Sequence, residues 1–350
     1  MEDMNEWMNE WMNEWMNEWM NEHILIVKNK IKNWAYRLID NKCLCWNDDV
    51  TKDITISEID RYWFEIPQIL CTKCWLIRSW LIFDEISNTE FYKNEYRPIY
   101  VPQNIKLSKF FSNQVDKGQQ FFQLFQKYVH INNKSIIFDA GCGAWGMLVP
   151  WKENGFLTKW CDFNTDYLDF WKSKWLDLLF WDVEDVLKDG EIDVLILSHV
   201  FEHFINPIQK IQSIINHIKR WWYLIFEVPG LFSIHQHYYK PIEYFQNAHV
   251  YNYYKYYLFQ FFEKIWLNII YWDERCTFIL QKPVNYMEYK INQIIINDWK
   301  RYSKKILRYL KINKYFYWIN PFFIADKILK PIWLYNLWSK LYFKIINLLK

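Results

Sequence analysis

Glycine is nearly missing from this chain, at 7 of 350 residues, where average usage would give roughly 25. It is the residue that adopts positive φ freely, so helix ends, tight turns and ligand-approaching loops normally draw on it. A chain this long and 52% hydrophobic can still bury a real core. Also missing is any apolar run near the ~20 residues that a membrane span needs. No signal-peptide pattern opens the sequence, and the expectation is a cytoplasmic protein. The seven cysteines suggest metal binding more than a disulfide framework. Four of them fall in two close pairs, a pattern that points to metal binding in a reducing compartment.

What is abundant instead is tryptophan, at 23 residues. Residues 4–19 read MNEWMNEWMNEWMNEW, and a period of four matches neither a heptad nor a helical face. It matches a tetranucleotide. ATG, AAT, GAA and TGA encode the unit as repeated ATGA, provided TGA is read as Trp. TGA means Trp in one variant code and Gly in another. The reading is therefore that many tryptophans stand where the authentic protein has glycine. Candidates are Trp46 and Trp75, each following a cysteine pair, and Trp145 in a Gly-rich loop. Trp221 and Trp222 fall in a helix-to-strand turn, and Trp266 lies at a helix end. The repeat itself, residues 1–22, is expected to be disordered.

The chemistry concentrates in the middle of the chain. SIIFDAGCGAWGML, residues 135–148, reads as an apolar strand, an acid, a Gly-rich loop and a helix start. Gly141 and Gly143 would let backbone approach a ligand at the helix N-terminus. Asp162 closes the next strand-like segment 23 positions after Asp139, where an acid can bind ribose hydroxyls. LLFWDVEDV, IDVLILSHVFEHF and YLIFEVPG supply further strand ends. Strands alternating with helical stretches predict an α/β, doubly wound parallel sheet with its site at the strands' carboxyl ends.

DAGCGAWG, HVFEH (199–203) and IKRWWYLIFEVP occur in the order seen in class I S-adenosylmethionine (SAM)-dependent methyltransferases, which residues 115–282 resemble. The resemblance implies a Rossmann-like methyltransferase sheet. It implies that Asp139, Gly141 and Gly143 hold the methionine end of SAM, Asp162 the ribose, Asp182 and Val183 the adenine edge, and that Ser198 lies beneath the sulfonium. Trp145 and Trp181 depart from the family pattern. An activated methyl needs mainly alignment with its acceptor, while an oxygen acceptor also benefits from a base, usually His. His199, His203, His235, His237 and His249 are available, each with an ordinary structural role as the alternative. His249, then His203, are the preferred catalytic candidates.

Cys43, Cys45, Cys71 and Cys74 could close a tetrahedral structural zinc site, with buried free thiols as the alternative. The first pair, C-x-C, is one residue shorter than the usual spacing. The surrounding segment resembles the zinc ribbon preceding the methyltransferase domain in a group of bacterial enzymes, many of which methylate sugars or other small metabolites.

The expected organisation is a low-complexity segment (1–22), a zinc-ribbon-like module with linker (23–110), a methyltransferase domain (111–282) and a basic helical tail (283–350). Net charge is only +2, yet residues 285–350 carry 13 Lys and Arg against Glu288, Asp298 and Asp326. Packed helices with a solvated basic face would account for this. So would peripheral contact with an anionic membrane at its inner face. A nucleic-acid footprint finds no further motif. The expected activity is O- or C-methylation of a small molecule or glycan precursor. The alternatives are an NAD-dependent oxidoreductase on a similar sheet and a non-catalytic scaffold with a degenerate fold.

Overall fold

The computed structural model describes residues 22–47, 49–100, 107–141, 146–161, 192–218, 222–238, 241–283 and 299–315. Gly143, Trp145, Asp162, Trp181, Asp182, Val183 and Trp221 lie outside them, as does nearly all of the N-terminal repeat. The chain divides into two compact units, Met1–Asp40 with Leu81–Lys106 and Asn41–Trp80 with Leu107–Lys350.

In the first unit, helix α1 (Glu22–Lys32) is followed by strand β1 (Leu38–Asp40). The second unit opens with a small antiparallel sheet, β2 (Ile54–Ser57), β3 (Gln68–Leu70) and β4 (Ile77–Ser79). The chain then returns to the first unit, where β5 (Leu81–Phe83) pairs with β1 and α2 (Glu85–Asn94) and α3 (Tyr96–Tyr100) complete it. Asp84 caps α2 by accepting the Ser87 backbone N–H, a preferred N-cap arrangement.

The central body follows. Helix α4 (Leu107–Tyr128) precedes β6 (Ile136–Ala140), α5 (Val149–Glu153), β7 (Leu157–Cys161), β8 (Val194–Ser198), α6 (Pro207–His217) and β9 (Tyr223–Glu227). Then come β10 (Tyr251–Asn252), α7 (Lys255–Lys264), β11 (Asn268–Trp272), β12 (Thr277–Gln281) and α8 (Trp299–Tyr315). The large sheet runs β11-β12-β9-β8-β6-β7. From β7 to β9 the strands are parallel, as the alternation of strands and helices predicts. β12 and β11 add an antiparallel hairpin, so the sheet is mixed rather than wholly parallel. β8 is buried along its whole length, as the middle of a two-sided sheet requires, and its sequence VLILS is correspondingly almost uninterrupted apolar.

Phe121, Phe122 and Phe125 of α4 pack with Trp151, Ile196, Ile225 and Ile279 in the core. Strand order reverses at β6, with β7 on one flank and β8 on the other. The carboxyl ends flanking such a reversal form the ligand crevice of open α/β sheets. In α8, Ile306, Tyr309 and Leu310 are buried, while Lys304, Arg308 and Lys311 are exposed. No helix among the described residues is long and apolar enough to cross a membrane.

Two physical groups stand out among the described tryptophans. Trp151 is fully buried and makes edge-to-face contacts with Phe122, Phe125 and Phe156 at 5.0, 5.3 and 5.6 Å, the geometry aromatic quadrupoles prefer. Trp34, Trp46, Trp63, Trp75 and Trp266 instead have φ between 52° and 62°, in the left-handed region that favours glycine. Four of these five leave the indole largely in solvent: Trp34 is 84% exposed, Trp46 56%, Trp63 50% and Trp266 62%.

The protein contains its own comparison. After α5, Gly155 (φ 85°) donates to Lys152 O while Phe156 donates to Trp151 O. After α7, Trp266 donates to Glu263 O while Leu267 donates to Phe262 O. Both are the same two-bond helix ending, whose left-handed residue is usually Gly. In one copy it is Gly and in the other Trp. Trp222 differs from this group. Its indole is fully buried and its backbone is not left-handed, so the turn geometry expected of it is absent.

Candidate functional site

Four sulfurs converge in the second unit. Cys43 Sγ lies 3.3 Å from Cys74 Sγ, and Cys45 Sγ lies 3.5 Å from Cys43 and 3.6 Å from Cys71. All four cysteines are buried and none is in a disulfide. Four thiolates at ~2.3 Å from a central zinc would stand about 3.8 Å apart, so the set fits a tetrahedral ion with a small expansion. The shortened first pair is accommodated by the left-handed turn at Trp46, whose N–H donates to Cys43 O. The second pair turns at left-handed Trp75, whose N–H donates to Cys71 O. Buried Arg78 braces the module, its guanidinium bridging Asp53 Oδ2 through two contacts of 3.1 Å.

At the crevice, Asp139 is buried near the end of β6, and Gly141 follows with φ 73°. A Cβ on Gly141 would meet Val200 Cγ2 at 2.5 Å, so any other residue would need both a left-handed backbone and a shift of the Val200 side chain. Ser198 ends β8 and donates from Oγ to Glu227 Oε2 at 3.2 Å. Of the expected cofactor contacts, Asp139, Gly141 and Ser198 therefore stand at the carboxyl ends of β6 and β8, around the reversal of strand order.

His203 and His249 come together there, with ring centroids 5.0 Å apart. The His203 Nδ1 faces Ala248 O at 2.9 Å. A carbonyl can only accept, so Nδ1 carries the proton and Nε2 the lone pair. His249 Nε2 is set in the same way. Arg61 Nη1 donates to Gln246 Oε1 at 2.9 Å, which turns the Gln246 amide nitrogen toward His249 Nε2. Burial holds the His203 imidazole below its ordinary range. It holds His249 well below, reinforced by the neighbouring His203 and Arg61.

Two carboxylates complete the group. Glu202 is 1% exposed, and neither of its oxygens has an aligned hydrogen-bond donor among the described residues. Its Oε1 lies 3.4 Å from His199 Nδ1, 3.7 Å from His249 Nε2 and 3.9 Å from His203 Nε2. Glu227, which ends β9, accepts from Lys117 Nζ of α4 at 2.5 Å and from Thr277 Oγ1 at 3.2 Å. Burial alone would raise the Glu227 carboxyl. The facing His199, then Lys117 and Ser198, outweigh it and hold the group below the carboxylate range. His199 bridges the two acids from a left-handed backbone (φ 57°) with half its side chain exposed. Desolvation opposes its charge, but Glu202 and Glu227 raise its proton affinity above the imidazole range. Non-Gly residues in such backbone conformations concentrate at functional sites.

His235 does not join the cluster. It is buried against α8, where its Nδ1 meets the Tyr309 hydroxyl at 2.7 Å. Sequence reasoning missed Glu202, Glu227 and Lys117 as site residues. Glu227 did leave a signal, as an acid ending the otherwise apolar strand YLIFE.

No protein-family model matches the chain, and no curated protein matches it in sequence. Among solved structures it is similar to a SAM-dependent methyltransferase from Archaeoglobus fulgidus, at 17% identity over 57% of this chain and 89% of that one, TM-score 0.37. It is also similar to magnesium protoporphyrin IX methyltransferase from Synechocystis PCC 6803 with bound S-adenosylhomocysteine, at 16% identity over 55% and 95%, TM-score 0.37. A third is a SAM-dependent methyltransferase from Aquifex aeolicus, at 12% identity over 51% and 98%, TM-score 0.35.

Proposed function

We infer that this chain is a SAM-dependent methyltransferase acting on a small molecule or glycan precursor at oxygen or carbon. The observation that carries the reading is Gly141. It is a left-handed glycine at which a Cβ would press on Val200 Cγ2, it directly follows β6 and buried Asp139, and it stands where strand order reverses. The order of the DAGCG, HVFEH and EVP segments along the chain supports the same reading. So does the cluster of titratable groups beside Gly141.

When bound, SAM supplies a methyl group already activated as a sulfonium. The chain's task is then alignment and proton management. Gly141 would leave backbone access for the methionine end, Asp139 would hold its ammonium, and Ser198 would lie beneath the sulfur. Gly143 belongs to the same loop, Asp162 to the ribose, and Asp182 and Val183 to the adenine edge. The neutral His249 and His203 can accept the proton of a hydroxyl acceptor. Exposed His199 passes it to solvent. The cysteine cluster holds a structural zinc, leaving no ligand position for substrate. The basic tail gives the enzyme a route to an anionic membrane surface from the cytoplasmic side.

We also propose that the left-handed tryptophans, and Trp145 with them, are glycines in the natural protein, read through a recoded TGA codon. SAM calorimetry on the chain as written and on a form carrying Gly at positions 46, 63, 75, 145 and 266 tests both ideas. Tight binding by the Gly form alone supports them. Equal binding keeps the enzyme and removes the recoding. Binding of NAD in place of SAM would make the chain an oxidoreductase, and binding of neither would leave a scaffold.

A further inference from the structure

Glu202 is a buried carboxylate whose pairing is incomplete: half-exposed His199 meets Oε1 at 3.4 Å and is shared with Glu227. An ionised carboxylate removed from water costs several kcal/mol unless it is paired, and here both oxygens are buried without an aligned donor among the described residues. The nearest buried groups do not complete it. With His203 Nδ1 donating to Ala248 O and the Gln246 amide beside His249 Nε2, both imidazoles can turn a lone-pair nitrogen toward Oε1. With both imidazoles neutral, their lone pairs and Oε1 face one another, an arrangement that a cation placed among them would stabilise.

We propose that Glu202, His203 and His249 form a binding site for a first-row divalent cation, separate from the four-cysteine site. Their donor atoms all lie within 4.8 Å of one another. Oε1 is 3.7 and 3.9 Å from the two imidazole nitrogens. Ligands bonded at ~2.1 Å in a tetrahedral arrangement stand about 3.4 Å apart, so a contraction of a few tenths of an ångström brings Oε1 to that spacing from both imidazoles. His203 already has the outer contact expected of a metal-binding imidazole, its second nitrogen donating to a backbone carbonyl. His249 must exchange the Gln246 amide for the ion. Two imidazoles and one carboxylate suit Mn, Fe, Co or Zn and leave coordination positions open.

His199, half exposed beside Glu202, marks the open side. Resting on the methyltransferase reading, an acceptor oxygen would bind the ion on that side. The ion's charge would then lower the affinity of that oxygen for its proton, which would leave to solvent on that side. Histidines 203 and 249 would thus act on the acceptor through the ion rather than as bases themselves.

The test uses the full-length chain with its cysteine site loaded with zinc. Mn²⁺, a hard ion that leaves thiolates alone, is titrated and followed by electron paramagnetic resonance and calorimetry. One bound Mn²⁺ per chain is expected, with affinity at least tenfold weaker in the isosteric Glu202→Gln and in His203→Gln. His235→Gln, a buried histidine outside the cluster, should bind like the parent. Thermal melting establishes that each variant is folded, and His203→Gln decides the matter if Glu202→Gln is not. Absence of any site for Mn²⁺, with no second equivalent of Co²⁺ or Zn²⁺, would overturn the proposal. So would unchanged affinity in the folded variants. Neither SAM nor acceptor is needed, so a failure here leaves the methyltransferase reading standing, and loss of SAM binding leaves this site standing.

Discussion

Replacing the exposed left-handed tryptophans with Gly and with Ala, in parallel, isolates the backbone from the side chain. Both substitutions remove the indole, so its lost contacts cancel in the comparison. At an ordinary site Ala is more stable than Gly by about 0.4–1 kcal/mol, because Gly loses more freedom on folding. In a left-handed conformation the Cβ costs about 1–2 kcal/mol. Trp63 and Trp266, at φ 62° and 60°, both lie in the second unit outside the cysteine cluster. The expected advantage of Gly over Ala is therefore roughly 0.5–1 kcal/mol at each. The Trp63→Gly/Trp266→Gly double variant should melt about 3–6 °C above the double Ala variant in a domain of this size. Trp272, in β11 and not left-handed, is the control, and there Ala should be the more stable. A double Ala variant melting at or above the double Gly variant would refute the assignment of these positions to glycine.

The two groups of tryptophan should also differ on truncation. Trp151→Ala, which opens a cavity among Phe122, Phe125 and Phe156, is expected to cost about 3–5 kcal/mol in denaturant unfolding. Stripping metal with a strong chelator should lower the melting temperature of the parent and leave a form with Ser at Cys71 and Cys74 unchanged, because metal-site binding energy is folding energy. The depressed Glu227 carboxyl stabilises the fold at pH values above its unfolded pKa. That contribution fades as pH falls through the lower folded value, since the unfolded chain then binds more protons. Lys117→Met removes a cation holding Glu227 ionised. It should narrow the melting-temperature difference between pH 7 and pH 4, and an unchanged difference would show that Lys117 does not act on Glu227.

Patterns that are local in the chain were readable from it. The run IIFDAG declared β6 and its glycine end, and VLILS declared a strand buried on both faces. The paired cysteines announced a cluster whose sulfurs do meet. The left-handed tryptophans were legible at positions 46, 75 and 266, because helix ends and cysteine turns favour left-handed backbone whichever residue fills them. Trp34 and Trp63 escaped notice for want of a recognisable motif around them. The antiparallel hairpin was not legible, since strand direction depends on which edge the chain rejoins and not on residue type. Nor was the Glu202–Glu227–Lys117 arrangement. Its members come from α4, the turn after β8 and the end of β9, and only the sheet order brings them together.

His249 does not hold its own place. Its carbonyl accepts the Ser79 hydroxyl across 170 positions of chain. The next residue, Val250, donates to Glu202 O and accepts from Ser79 N–H. Two residues beyond His249, β10 pairs with β4 of the cysteine module. Contacts of such long separation form late, because the closing loop must first be gathered. During synthesis, the cysteine module is therefore made early and waits for more than half the remaining chain before its sheet gains a fourth strand. The histidine pair is set at that same moment, so the site acquires its geometry in one of the last steps of assembly.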